Sequence, residues 1–316
     1  MDNFIFALNA TIPVFLVIVL GNIMMKKGII TKEWTKISDR LAFRIALPIT
    51  LFMDIVSMKS ENHSNIKFVV FCALTTSVIF LISWIMSNIF VKDKYMVGAF
   101  AQGSVRGSAA ILGMPFVINI YGNSGLVPLM ILAAVPLFNA YSVIMLTVSA
   151  AKNRNSKKRI NYMAIIKSIF TNPLIIGILL GFPFYLLKIE FPQLISKSLN
   201  TIGAISVPLM LISIGGDFKF DDIFKKFRPS LVATFIKLIL LPAIVLPIAI
   251  YFGFRESALL AILIMVGAPS AMTGYIMAKN MDNDYVLMSN IVVMTTLLSS
   301  ITFTFWLFLL KTLNLL

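Results

Sequence analysis

The chain has 316 residues, of which 59% are hydrophobic and only 13% charged, with a mean hydropathy of +0.94. Soluble domains carry about a quarter charged residues, so this composition excludes a water-covered globule and points to a chain solvated by lipid. The net charge of +14 is spread between apolar runs rather than gathered in one block, which argues for membrane orientation and against nucleic acid as a partner.

Apolar runs of roughly the twenty residues that cross a bilayer as a helix follow one another over 4–25, 38–58, 66–91, 95–121, 125–150, 162–187, 193–215, 230–253, 257–278 and 285–310. The reading is an all-α membrane protein of ten transmembrane helices. The first run is preceded by Asp2 and followed by Lys26 and Lys27, the reverse of the charge order of a cleaved leader. That order puts the N-terminus outside and the first loop in the cytoplasm. With loops then alternating, sixteen Lys and Arg side chains are assigned to the cytoplasmic side and six to the other. Both termini are therefore expected outside, in a multi-pass protein of the cell membrane. The basic stretch Lys152–Arg159 reads as a cytoplasmic linker. The lone Cys72 reads as a small buried hydrophobe, and His63 stands in a polar loop without companions for a metal.

The two halves share a pattern. A shift of 160 places Pro13 on Pro173, Gly21 on Gly181, Ser38 on Ser198 and Pro48 on Pro208, and a shift of 154 places Gly113 on Gly267, Pro115 on Pro269 and Tyr121 on Tyr275. The expected organisation is a first five-helix repeat over 1–151, a linker over 152–161 and a second repeat over 162–316. Five is odd, so the second repeat enters the membrane from the opposite side, an arrangement common in transporters whose substrate site lies near the midplane.

Gly113-Met114-Pro115 in span four and Gly267-Ala268-Pro269 in span nine carry the chemistry. Proline removes the N–H of an i→i−4 bond, and the backbone groups it frees are tolerated only where protein or a water-filled cavity satisfies them. Paired breaks in two repeats predict a transport site. Around them stand Gln102, Ser104, Arg106, Gly107 and Ser108, then Ser270, Thr273 and Tyr275, with Asn139 in span five and Asn290 in span ten. Arg106 is a cation near the midplane, where a bare charge is costly, and its planar fork suits a carboxylate. Asp54 is a candidate ion-pair partner for it, and Lys237 a second cation for charge pairing or coupling.

The stretches Arg106–Pro115 and Gly267–Ala278, with Lys237 before Leu-Ile-Leu-Leu-Pro242, resemble the auxin efflux carrier family, in particular its bacterial branch of malate and other organic-acid permeases. The resemblance implies a scaffold of spans 1, 2, 6 and 7 through which two subunits pair. It also implies a transport domain of spans 3–5 and 8–10, in which the two broken helices cross. Family members commonly carry Asn where this chain has Ser108, and the long loop of plant members is missing here. The expected function is a secondary or facilitative transporter of a small organic anion, such as malate or an auxin-like acid, by alternating access. Its site is drawn from Arg106, Ser108, Gly113, Pro115, Asn139, Gly267, Pro269, Ser270, Thr273 and Asn290. The alternative is a sodium- or proton-coupled exchanger of similar architecture, which would need intramembrane carboxylates. No P-loop, nucleophile–base pair or metal cluster is legible, so neither an enzyme nor a cofactor is expected.

Overall fold

The computed structural model describes residues 2–57, 66–108, 117, 125–154, 162–187, 189, 191–217 and 220–316. Among them the secondary structure is helical, apart from one isolated antiparallel bridge. In chain order the helices are α1 (Asp2–Lys26), α2 (Lys32–Leu41), α3 (Leu47–Val56), α4 (Ile66–Phe90), α5 (Lys94–Gly103) and α6 (Val127–Arg154). They continue with α7 (Tyr162–Phe170), α8 (Pro173–Leu186), α9 (Gln193–Ala204), α10 (Ser206–Asp217) and α11 (Phe220–Phe235). The last four are α12 (Leu241–Tyr251), α13 (Glu256–Gly267), α14 (Thr273–Asn280) and α15 (Tyr285–Thr312). Five helical stretches, Ile66–Phe90, Val127–Lys152, Gln193–Asp217, Lys226–Tyr251 and Tyr285–Thr312, are long and apolar enough to cross a membrane, and shorter apolar helices accompany them.

Polar residues start the helices where the sequence supplies them. The Thr31, Asp93, Asn172 and Asp284 side chains accept backbone N–H bonds from Trp34, Tyr95, Leu174 and Leu287, satisfying donors that a first turn leaves open. Two single π-helical turns, Ala42–Ala46 and Ile236–Leu240, join α2 to α3 and α11 to α12. Each precedes a proline, Pro48 or Pro242. Pro242 cannot donate to Leu238 four residues back, and the Trp306 indole N–H of α15 fills the vacancy at 2.9 Å from that carbonyl.

Small residues allow close helix pairs, as expected where lipid supplies no hydrophobic drive between helices. α1 lies on α10: a Cβ on Gly215 would stand 1.9 Å from the Ile18 carbonyl oxygen, and one on Gly21 2.3 Å from that of Ile212. α3 lies on α8 in the same way, with Gly177 against the Pro48 backbone. Elsewhere α4 packs on α6, with Phe80 stacked on Phe138, while α11 and the π turn after it pack on α15. The deepest element is α13, buried at every position from Leu259 to Gly267.

The connections gather at two ends. At one, Lys152 reaches Asn88, Lys226 pairs with Asp284, and Lys279 pairs with Asp39 and Asp217. At the other, Lys67 donates to the Phe252 carbonyl, Glu256 N–H to that of Leu315, and Phe52 packs on Phe184 and Phe191. The first end carries the loops rich in Lys and Arg.

Candidate functional site: two interrupted helices that pair

α5 stops at Gly103 and passes through a turn at 104–105, while α13 stops at Gly267 and continues extended at Ala268; the two segments then pair. Ser108 N–H donates to the Pro269 carbonyl at 2.8 Å and Ala271 N–H to that of Arg106 at 3.2 Å, with Gly107 opposite Ser270. Backbone groups freed by the breaks thus find partners in one another, which a lipid-embedded chain requires. Side chains complete the junction. The Thr295 hydroxyl accepts from Ser270 N–H at 3.0 Å, Ser270 Oγ donates to the Gly103 carbonyl at 2.5 Å, and Gln102 Nε2 donates to that of Gly274 at 3.0 Å.

Lys237, on the π turn after α11, is fully buried, and its ammonium donates to the carbonyls of Val105 at 3.1 Å and Val266 at 2.7 Å. These lie at the C-terminal ends of α5 and α13, where unpaired carbonyls concentrate partial negative charge. One cation therefore ties both stops together. Gly107 permits this, because a Cβ there would stand 3.0 Å from Lys237 Nζ and from the Met265 carbonyl oxygen.

Arg106 is 4% exposed. Its Nη2 donates to Asn139 Oδ1 at 2.6 Å and to the Thr273 hydroxyl at 2.5 Å, and Nη1 to Met277 Sδ at 2.6 Å. Asn139 belongs to α6, and Thr273 and Met277 to α14, so the guanidinium joins three elements at the junction. Every one of these partners is neutral. Among the described residues neither Arg106 nor Lys237 has a carboxylate within ion-pair distance.

The residues singled out in the sequence thus separate. Arg106, Ser108, Asn139, Gly267, Pro269, Ser270, Thr273 and Lys237 converge at the junction, whereas Gly113 and Pro115 lie outside the described residues. Asn290 is buried on α15. Asp54 is exposed on α3 and is not among the partners of Arg106. Tyr275 does not turn to the junction but donates to Asp217 Oδ2 at 2.6 Å.

That bond belongs to a cluster the sequence reading did not find. The Lys279 ammonium pairs with both Asp39 and Asp217, Lys32 reaches Asp217 Oδ1 at 2.8 Å, and Lys279 lies 5.4 Å from the ring centres of Tyr275 and Tyr285. Burial disfavours the Lys279 charge, but the two carboxylates outweigh it and hold its pKa above the ordinary lysine value. The cluster joins α2 and α10 to α14 and α15 at the end rich in basic residues.

Residues 6–307 match the family described as membrane transport protein. An uncharacterized transporter of Methanothermobacter thermautotrophicus is 21% identical over 94% of this chain and 96% of its own length. A second, from Methanocaldococcus jannaschii, is 24% identical over 95% of this chain and 97% of its own. These similarities run through the whole chain and bear out the resemblance to the auxin efflux carriers.

Proposed function

Because the chain belongs to the membrane transport protein family, we propose that this membrane transporter carries a small organic anion, a carboxylate, and binds it at the paired breaks beside Arg106. One observation carries the reading: a buried guanidinium held at the junction of two interrupted helices by Asn139, Thr273 and Met277 alone among described residues. A guanidinium held by neutral partners has no resident counter-charge, and an anion that reaches it gains a charge-assisted, bidentate contact. The N-terminus of α14, beside it, adds favourable partial charge.

Transport follows from two bodies that move past each other. In this reading spans 1, 2, 6 and 7 form the scaffold, which also pairs two subunits, and spans 3–5 and 8–10 carry the site. The contacts of α1 with α10 and of α3 with α8 support the inverted repeat, since exchanging the halves turns one pair into the other. The clustering of loops at two ends supports ten spans with both termini outside. Impermeant thiol reagents, applied to intact cells carrying Cys72→Ala, should label Lys67→Cys but not Lys36→Cys. The opposite pattern would invert the orientation.

A cation-coupled exchanger would need free buried carboxylates. Asp39 is buried and Asp217 half-buried, which the sequence reading overlooked, but Lys279 already serves both. The deciding experiment is uptake into proteoliposomes of labelled mono- and dicarboxylates under imposed proton or sodium gradients. Saturable uptake of at least one carboxylate is expected, and a gradient that accelerates it identifies the coupling ion. Absence of carboxylate uptake under every gradient would overturn the proposal.

A further inference from the structure

The end of the molecule that carries Lys279 holds a second cleft. It has a volume of about 560 Å³ and is lined by Lys32, Lys36, Arg40 and Arg44 along one wall, with Lys279 and Tyr285 opposite. The four wall cations recur at every fourth position through α2 and the π turn that follows, so the helix sets them on neighbouring turns of one face. All four are exposed. Two carboxylates, Asp39 and Asp217, also line the cleft, but they are taken up by Lys279 and Lys32. Lys36, Arg40 and Arg44 make no ion pair with described residues. Five cations against two carboxylates leave a surplus of three positive charges in one concave space, and such a cleft concentrates anions.

We propose that this cleft is a separate binding site for an oxyanion with two or more negative charges, a phosphate or polycarboxylate group. The surplus charge exceeds what one monocarboxylate would neutralise, and guanidinium pairs such as Arg40 and Arg44 suit the planar or tetrahedral oxygens of these groups. Val286 is the only aliphatic side chain among the lining residues, so the walls take a hydrophilic group and give an acyl chain no bed. The site stands on its own residues. It does not depend on the anion transported at Arg106.

The test uses the full-length protein in nanodiscs of neutral phosphatidylcholine, titrated calorimetrically with pyrophosphate. Saturable binding is expected, and the exposed double variant Lys36→Gln/Arg40→Gln should weaken it about tenfold, the combined loss of two solvent-facing ion pairs. Lys67→Gln, a cation at the opposite end, and Arg106→Gln should leave it unchanged. Should pyrophosphate fail to bind, native mass spectrometry of protein from nanodiscs containing cardiolipin, whose headgroup carries two phosphates, reads the lipid-borne form. Retained lipid that is lost in the double variant then assigns the site to a headgroup phosphate. Binding of neither form, binding indifferent to the double variant, or pyrophosphate binding abolished by Arg106→Gln would each overturn the proposal.

Discussion

Arg106 is a buried cation and Lys279 a half-buried one, and their surroundings differ in kind. Arg106 stands among an amide, a hydroxyl and a thioether, while Lys279 stands between two carboxylates. Taking a charge out of water costs several kcal/mol, and a partner of opposite charge is the usual compensation. At Lys279 that compensation is complete, so the cation is spent on joining α14 to α2 and α10. At Arg106 it is left to dipoles, and in the proposed reading the charge serves the transported anion. The lesson is that burial alone does not mark a functional cation. What sets Arg106 apart is the absence of a resident counter-charge among the described residues.

The contrast can be broken first at Lys279. Lys279→Met leaves the buried Asp39 without its cation and Asp217 with Lys32 alone, and breaking a buried pair in this way costs about 3–5 kcal/mol. The melting temperature in detergent should fall sharply, and adding Asp39→Asn and Asp217→Asn to the variant should restore much of it. An unchanged melting temperature would show that the pairing contributes nothing.

Lys237→Met tests the junction from the other side. It strips the donor from the Val105 and Val266 carbonyls, each worth roughly 1–3 kcal/mol when left unsatisfied. It also removes a buried charge, so the net loss should be smaller than at Lys279. Anion affinity should fall with it, because the half-helix ends are no longer tied. Affinity that survives intact would separate Lys237 from the site. A smaller effect still is expected of Thr295→Val, which orphans the Ser270 N–H and should lower stability by about 1 kcal/mol. A denaturation midpoint equal to that of the parent would mean the junction satisfies that donor otherwise.

Much of this architecture was legible beforehand because spans are written in apolar length. Five long apolar helices coincide with the third, fifth, seventh, eighth and tenth runs, and shorter apolar helices fall in the first, sixth and ninth. The break at Pro269 was legible too, since proline states the loss of its own hydrogen bond. What Ser108 does was not: its backbone N–H, which any residue but proline supplies, makes the bond to Pro269. A Ser108→Asn exchange would therefore leave the pairing intact. The Asp39–Asp217–Lys279 cluster escaped because its members lie on three separate elements, and position along a run does not tell which face a residue occupies. Asp54, deep in its run, is exposed, whereas Asp39, at the edge of the same run, is buried.

The central claim is that Arg106 receives the anion, and equilibrium binding of a radiolabelled carboxylate, chosen from the uptake panel, to purified variants measures it. Hydrogen bonds to charged groups contribute roughly 1.5–3 kcal/mol, so Arg106→Gln should weaken binding about tenfold to a hundredfold while the protein remains folded. Arg106→Lys keeps the charge without the planar fork and should recover part of the affinity. A folded Arg106→Gln protein that binds the carboxylate as tightly as the parent would contradict the account.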